Sequence, residues 1–304
     1  MRHVQLRAFH HVAIHGGFSR AAEALNVTQP AISDQIRKLE EEYDVLLFNR
    51  RKKQITLTPA GRDLLEITRR LFEVESEALE LLTESRALRS GSLRIIADSA
   101  HHIVHVLSAF RALHPRVDII IHAGNTETVT ARLHAWEADI GVLGGIPADR
   151  AFEAIRLSST PLIAFVARGH PLATIGAITL ADLVRQPLVL REKGSMTRRK
   201  IAEAIAAKGL ALGSNIEAEG REAVREIVAA GAGVGIVSAA EFDNDSRLVP
   251  IRLADCDIHM EEAIICRRER AKGRLIGAFL EVARRQVAAG QPGVSARTRA
   301  PDGS

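Results

Sequence analysis

The side chains between Gln29 and Lys38 are of the types that contact nucleic acids. Gln29, Ser33 and Gln35 end in amide or hydroxyl groups, which pair with the edges of bases. Arg37 and Lys38 follow them, and cations are the usual partners of phosphate oxygens. An ordinary helical hairpin with a solvated polar face would show the same pattern. This stretch alone therefore leaves both interpretations open.

The spacing around these side chains predicts two short helices joined by a tight turn over residues 18–42. We expect Ser19 to cap the first helix and Asn26 to close it, since Asn tolerates the left-handed conformation. Thr28 should open the second helix, with Pro30 in its first turn. The predicted inward faces are Ala21, Ala22 and Leu25 in the first helix and Ala31, Ile32, Ile36 and Leu39 in the second. A preceding helix over residues 3–15 would brace this pair.

Two short apolar or β-branched runs, 46–48 and 55–57, follow and predict a pair of strands. Four adjacent cations lie between them: Arg50, Arg51, Lys52 and Lys53. Such a hairpin could be a solvated surface loop. Beside a helix-turn-helix, the four cations favour a wing that lies along a phosphate backbone.

A single long helical pattern runs from Thr58 to about residue 88. Its apolar residues recur every seven positions, in the series Leu64, Leu71 and Ala78 and the series Ile67, Val74, Leu81 and Leu88. A repeat of this kind is typical of a two-helix coiled coil and predicts a dimer. The alternative is one amphipathic helix that packs on its own domain.

Composition sets broader limits. The chain has 304 residues, enough for two or three domains. Its formal charge is +4 and its pI is about 9.4. The excess is local, because residues 1–62 hold ten Lys or Arg against six Asp or Glu. This end of the chain is therefore the expected contact with a polyanion.

Cys256 and Cys266 are the only cysteines, too few for a disulfide framework and without the spacing of a zinc finger. Charged residues interrupt every apolar segment before a membrane-spanning length is reached. We expect a soluble cytoplasmic protein without membrane contact, cofactor or metal.

Several sequence blocks resemble the winged helix-turn-helix of LysR-type transcriptional regulators, in order and in spacing. They are Leu6-Arg7-Ala8-Phe9, Gly17-Phe18-Ser19-Arg20-Ala21-Ala22, Thr28-Gln29-Pro30-Ala31-Ile32-Ser33, Ile36-Arg37-Lys38-Leu39-Glu40, Leu47-Phe48-Asn49-Arg50 and Leu57-Thr58-Pro59-Ala60-Gly61. The resemblance implies a regulator that binds double-stranded DNA as a homodimer or homotetramer.

The DNA-contacting residues that the pattern and the resemblance predict lie in the helix-turn-helix and the wing. They are Ser19, Arg20, Thr28, Gln29, Pro30, Ser33, Asp34, Gln35, Arg37, Lys38, Arg50, Arg51, Lys52 and Lys53. Asp34 departs from the family, which often has a cation or a small residue there. An acid would either repel phosphate or accept a hydrogen bond from a cytosine amino group.

Beyond a hinge at residues 90–92, strand-like runs alternate with helical segments, which predicts an α/β domain with a largely parallel sheet. The family resemblance implies the two-lobed fold of type-2 periplasmic binding proteins. The predicted domains are a winged helix-turn-helix over 1–58 and a dimerising linker helix over 59–89. Lobe 1 is expected at 92–161 and 265–288, lobe 2 at 162–264, and a disordered tail at 289–304.

A small-molecule effector would bind between such lobes, where strands end and helices begin. Three stretches fit this position, 98–102, 124–126 and 192–198, and the last resembles the family's Gly-Ser-x-Thr-Arg effector loop. The candidate contacts are Ser99, Ala100, His101, His102, Asn125, Thr126, Ser195, Met196, Thr197, Arg198 and Arg221. Free helix N–H groups and hydroxyls favour an anion. Each stretch could instead be a well-capped helix.

The second half also resembles LysR-type regulators associated with aminoethylphosphonate catabolism. The resemblance lies in residues 190–195, 221–226, 233–238 and 266–270. It implies 2-aminoethylphosphonate or a relative as effector.

Other signals predict no chemistry. His101 and His105 are four residues apart, but no carboxylate or cysteine nearby in the sequence completes a metal site. The glycines at 231, 233 and 235 precede an apolar strand instead of following one, unlike a dinucleotide loop. No catalytic spacing is present. A regulator is expected, and the alternative is a metabolite-binding protein or enzyme with a DNA-binding accessory domain.

Overall fold

The computed structural model describes residues 1–49, 55–82, 91–213, 215–242 and 245–289. Two compact units divide the chain, one within Met1–Glu84 and the other within Ser85–Ser304. The predicted wing tip at 50–53, the end of the linker helix at 83–89, the hinge residue Ser90 and the tail at 290–304 lie outside the described residues.

The N-terminal unit is a winged helix-turn-helix, as predicted. Its described elements are α1 (His3–His15), α2 (Phe18–Ala24), α3 (Gln29–Tyr43), β1 (Phe48–Asn49), β2 (Thr56–Leu57) and α4 (Pro59–Leu82). The two strands pair antiparallel. One apolar core joins the helices and the wing through Leu6, Phe9, Val12, Ala21, Ala22, Ile32, Ile36, Leu39, Leu47, Phe48 and Leu65. Its burial turns the polar face of α3 outward.

Three details of this unit differ from the sequence prediction or refine it. Ser19 caps nothing, because α2 already begins at Phe18 after Gly17. Asn26 does adopt the left-handed conformation, with φ 52°. Ala31 is exposed, and Glu40 is buried in the same helix. The Glu40 carboxylate is needed there, because it accepts hydrogen bonds from the backbone N–H groups of residues 47 and 48 at 2.8 and 3.3 Å.

Helix α4 carries an exposed apolar stripe. Ile67, Leu71 and Val74 are 62%, 39% and 58% exposed, whereas Leu64 and Leu65 pack against the core of the unit. The stripe contains members of both predicted heptad series, so a second helix could cover it. None of the described helices has the length and the apolar character needed to cross a membrane.

The C-terminal unit is an α/β structure. Its strands are β3 (Ser92–Ala97), β4 (Asp118–Ala123), β5 (Ile140–Gly144), β6 (Phe152–Ala167), β7 (Ala177–Ile178), β8 (Leu188–Arg191), β9 (Asn215–Ala218), β10 (Val234–Ser238), β11 (Leu248–Leu253) and β12 (His259–Arg267). Its helices are α5 (Val104–Leu113), α6 (Thr126–His134), α7 (Leu180–Leu183), α8 (Met196–Ala207), α9 (Arg221–Ala229) and α10 (Arg274–Ala288). A short 3-10 helix, Ala100–Ile103, leads into α5.

The strands form a mixed sheet in the order β4-β3-β5-β12-β6-β10-β8-β9, with β11 against β6 and β7. Parallel pairs flank the antiparallel centre, where β12 and β6 run side by side from Phe152 to Pro161. From Leu162 onward, β6 pairs instead with β10 and β11. The predicted boundary between the lobes thus falls where β6 changes partners.

Two apolar cores confirm the two-lobed architecture. One lies between β3, β5, α5 and α10 and contains Ile95, Phe110, Ile140 and Phe279. The other contains Leu180, Leu188, Ile201, Val234 and Ile251. The first half of β6 and strand β11 were missed by the sequence pattern. Polar residues alternate along the former and Pro250 interrupts the latter, so neither is an apolar run.

Candidate functional site

The outward face of α3 presents free polar groups. The helix begins after Thr28, with Pro30 in its first turn, as predicted. Gln29 is exposed, whereas Ser33 and Gln35 are partly buried. Within the described chain, the side chains of Gln29 and Ser33 make no hydrogen bond, so they are available to an external partner. We call Gln29, Ser33, Asp34, Gln35, Arg37 and Lys38 the recognition face.

A concave surface of about 570 Å³ adjoins the start of α3. Ser19, Arg20 and Gln29 line it together with Ile55 and Thr56 at the base of the wing. The Arg20 guanidinium donates a hydrogen bond to the Gly16 carbonyl at 2.8 Å, which holds it at the rim. The structure therefore brings three predicted DNA contacts next to the wing, whose cations at 50–53 are outside the described residues.

Asp34 holds the two cations that follow it. Its Oδ1 accepts from Arg37 Nη2 at 2.8 Å, and its Oδ2 lies 2.7 Å from Lys38 Nζ. Arg37 also donates to Glu41 at 2.9 Å. The hydrogen bonds from Lys38 and Arg37 lower the pKa of Asp34 below its ordinary value. The acid is thus explained as part of a local ion-pair network on the exposed face.

Two of the three stretches predicted to bind an effector, 124–126 and 192–198, are in contact in the C-terminal unit. Asn125 Nδ2 donates to the carbonyl of Lys193 at 3.2 Å, and the Glu127 N–H donates to the carbonyl of Gly194 at 3.3 Å. These contacts place the carboxyl end of β4 against that of β8. They define a cleft between the lobes.

Some of the predicted effector contacts have structural roles. Asn125 Oδ1 caps α6 by accepting from the Thr128 N–H at 3.0 Å. Thr126 Oγ1 donates to the Gly144 carbonyl at 3.3 Å. Met196 packs against the core of lobe 2. Arg198 donates to the Arg191 carbonyl at 2.8 Å and pairs with Glu217.

The remaining predicted effector contacts have no such structural role. Ser99, Ser195 and Thr197 are 4%, 4% and 9% exposed, and Ser99 Oγ lacks a hydrogen bond among the described residues. Ala100 is exposed. The ring of His101 lies 6.1 Å from that of His102. The three hydroxyls are therefore the strongest remaining candidates for an effector contact.

Carboxylates that sequence reasoning missed surround His102. Its Nε2 lies 3.0 Å from Glu241 Oε1 and 3.3 Å from Glu262 Oε2. Asp98 belongs to the same group, and Arg221 Nη1 donates to Glu241 Oε1 at 3.1 Å. We call Asp98, His102, Glu241 and Glu262 the acid cluster. The spacing of His101 and His105 suggests a pair of ligands, but among the histidines of residues 101–105 it is His102 that faces acids.

Burial shifts the proton affinities of the acid cluster. It raises the pKa of Asp98 to about 6, helped by the charge of Glu241. It also raises the pKa of Glu262 to about 8. Burial opposes the charge on His102, but the hydrogen bond to Glu241 and the neighbouring acids outweigh it and raise its pKa. The part of the cleft predicted to attract an anion is thus rich in acids.

A cavity of about 50 Å³ lies within lobe 2. Phe165, Val224, Val237, Phe242 and Leu248 form its apolar wall. Arg191, Thr197, Arg221 and Glu241 form its polar side. Only Thr197 and Arg221 of these were predicted, since the apolar wall comes from four separate elements with no common motif.

The sequence matches known families along most of its length. Residues 3–62 match the bacterial regulatory helix-turn-helix proteins of the lysR family, and residues 86–288 match the LysR substrate binding domain. The chain is 31% identical over 282 residues to a RuBisCO operon transcriptional regulator of Allochromatium vinosum, covering 91% of this chain and 93% of that protein.

Solved structures share the fold. A full-length OxyR variant from Pseudomonas aeruginosa has a TM-score of 0.77 at 22% identity, covering 93% of this chain and 95% of that one. CbnR, crystallised in complex with its target DNA, has a TM-score of 0.64 at 24% identity, covering 94% of this chain and 99% of that one.

Proposed function

Because the chain belongs to the LysR family of DNA-binding transcriptional regulators, we propose that its recognition face reads operator DNA and that an effector in the cleft modulates this reading. The wing cations at 50–53 would contact the phosphate backbone beside the groove. The observation that carries the first part is the pair Gln29 and Ser33 at the start of α3, whose side chains make no hydrogen bond within the described chain. A cytoplasmic location belongs to the same proposal.

Regulators of this family oligomerise, and α4 supplies a surface for it here. Its exposed stripe of Ile67, Leu71 and Val74 would be covered by the same helix of a second copy. A dimer would present two recognition faces to two half-sites of an operator. Lobe movement on effector binding would change their spacing and so the affinity for DNA.

We propose that the effector is small and carries an anionic group held by the hydroxyls of Ser99, Ser195 and Thr197. 2-Aminoethylphosphonate remains a candidate, because its ammonium group would offset the acids of the cleft. The RuBisCO operon regulator in the comparison favours a second candidate, an anionic metabolite of carbon fixation. Calorimetric titration of each compound into the full chain would separate them, since only one should release heat.

The test of DNA reading is operator binding by Gln29→Ala and Ser33→Ala proteins. Each should lose about 1–3 kcal/mol of preference for the operator over unrelated DNA, because a base contact disappears. Arg185→Ala is the control, since this exposed cation lies in the C-terminal unit. Unchanged operator preference in both variants would contradict the proposed recognition face.

The alternative is an enzyme or carrier with a DNA-binding accessory domain. The relative in the comparison is named as a transcriptional regulator, and the matched families cover both parts of the chain, which favours regulation. Turnover of a bound metabolite by the purified protein would support the alternative.

A further inference from the structure

The acid cluster brings four ionisable groups to one point of the cleft. Ligand atoms of Asp98, His102 and Glu241 all lie within 4.8 Å of one another. Glu262 reaches the same place from β12, with Oε2 at 3.3 Å from His102 Nε2. Asp98 and His102 follow β3 of lobe 1, whereas Glu241 follows β10 of lobe 2. The cluster therefore spans the two lobes.

Two carboxylate oxygens of the cluster lack a donor. His102 Nε2 can carry one hydrogen, and that hydrogen can point to only one of the two glutamates. Glu262 is 1% exposed, yet across the described ranges its Oε2 and Asp98 Oδ1 accept no hydrogen bond. A buried carboxylate without a partner is costly. These two oxygens can therefore still coordinate a cation.

The nearby arginines make their hydrogen bonds to other carboxylates. Arg221 is bound to Glu241 through the 3.1 Å contact. Arg191 makes a two-bond ion pair with its neighbour in sequence, at 2.9 and 3.0 Å. Asp98 and Glu262 remain, with two formal negative charges when both are ionised. A divalent cation carries the charge that this pair lacks.

We propose that Asp98, His102, Glu241 and Glu262 bind a divalent first-row transition-metal ion that ties the two lobes together. One imidazole nitrogen among carboxylates suits Mn²⁺, Fe²⁺ or Zn²⁺, whereas Mg²⁺ and Ca²⁺ prefer oxygen ligands alone. Neutral His102 would coordinate through Nε2 and keep its proton on Nδ1.

The bound ion would turn an acidic cleft into one that accepts an anion beside Ser99. This regulatory consequence rests on the proposed function, whereas the metal site itself does not. Regulation would then depend on two ligands, the ion and the metabolite.

The test is Mn²⁺ binding to the tag-free full chain in the absence of DNA, followed by electron paramagnetic resonance. We expect one ion per chain and coupling of the ion to an imidazole nitrogen. His102→Gln should abolish that coupling, and Glu262→Gln should weaken binding at least about tenfold, because each removes a ligand. Asp98→Asn, a substitution of nearly equal size, should weaken it similarly.

Matched controls lie next to these residues. Glu261→Gln and His105→Gln should leave both the stoichiometry and the nitrogen coupling unchanged, since Glu261 faces Arg156 and His105 is exposed. Fluorescence of Trp136, the single tryptophan, reports whether each variant folds. Failure of the wild-type chain to bind Mn²⁺ at about 1 mM would overturn the proposal. Binding that survives all three ligand substitutions in folded protein would do the same. Unchanged operator preference in recognition-face variants bears only on the proposed function, so the two failures are distinguishable.

Discussion

The recognition face and the acid cluster are built in opposite ways. The recognition face comes from ten consecutive residues of one helix, and its ion pairs join positions three or four apart, such as Asp34 with Arg37 and Lys38. The acid cluster joins residues as distant as Asp98 and Glu262, and its groups are largely buried. Exposed local contacts contribute energies that are nearly independent of one another, whereas the energy of each buried group depends on its partners.

The largest expected effect of this difference is on stability. Glu241→Ala should lower the free energy of unfolding of the C-terminal unit by about 3 kcal/mol, because Arg221 and His102 lose their buried acceptor. Urea unfolding followed by Trp136 fluorescence measures it. The control, Glu203→Ala, removes an exposed acid from α8 of the same unit and should change little. Equal effects of the two substitutions would show that the cluster is not a buried network.

The same difference explains which features of the structure could be predicted from the sequence. The helix-turn-helix, the wing and the strand-helix alternation are local patterns, and the structure contains all three. The acid cluster is not local, since Glu241 and Glu262 lie about 140 and 160 residues beyond Asp98. Even Ser19, a plausible cap by type, is not the cap, because the helix begins at Phe18, two residues earlier than a Ser19 cap requires. Residue type alone did not fix that boundary.

His10, in the N-terminal unit, is an exception to this contrast, because it is a partly buried ionisable group outside the acid cluster. His10 donates to or accepts from Thr68 Oγ1 of α4 at 3.1 Å. Burial, with His11 and Arg69 nearby, lowers its pKa from 6.5 to about 4. The unfolded chain therefore binds the proton more tightly than the folded one. Stability is full above pH 6.5 and falls as the pH drops toward 4.

At pH 5 this loss should be about 2 kcal/mol relative to pH 7. His10→Gln removes the titrating group and should flatten this part of the pH dependence. Helical circular dichroism during urea unfolding at both pH values measures it, while Trp136 reports the other unit. His122→Gln, an exposed histidine of β4, is the control. An unchanged pH dependence in His10→Gln protein would refute the assignment.

The coupling energy of two substitutions is the deviation of their combined effect from additivity. It should be smaller than the effects above, but it measures the contrast between the recognition face and the buried groups more directly. Arg191→Met and Glu192→Gln break a largely buried two-bond pair, so their effects on unfolding should deviate from additivity by about 1 kcal/mol or more. Gln29→Ala and Lys38→Ala lie about 13.5 Å apart along α3. Their effects on operator affinity should add within about 0.5 kcal/mol. A clear deviation from additivity for this pair would contradict the proposed contrast between the recognition face and the buried groups.

Substitution of Asp34 should give the smallest effect of this series on DNA binding. It also tests the role of a single residue of the recognition face most directly. Asp34→Ala frees Lys38, while Arg37 stays bound to Glu41. We expect affinity for unrelated DNA to rise about twofold, and the dependence on salt to steepen by about one phosphate contact. Glu23→Ala removes one exposed acid from α2 and is the matched control. If Asp34 instead accepted a hydrogen bond from cytosine, the substitution would weaken operator binding and change the preferred base at one position. Operator selection with the variant therefore decides whether this acid restrains a cation or reads a base.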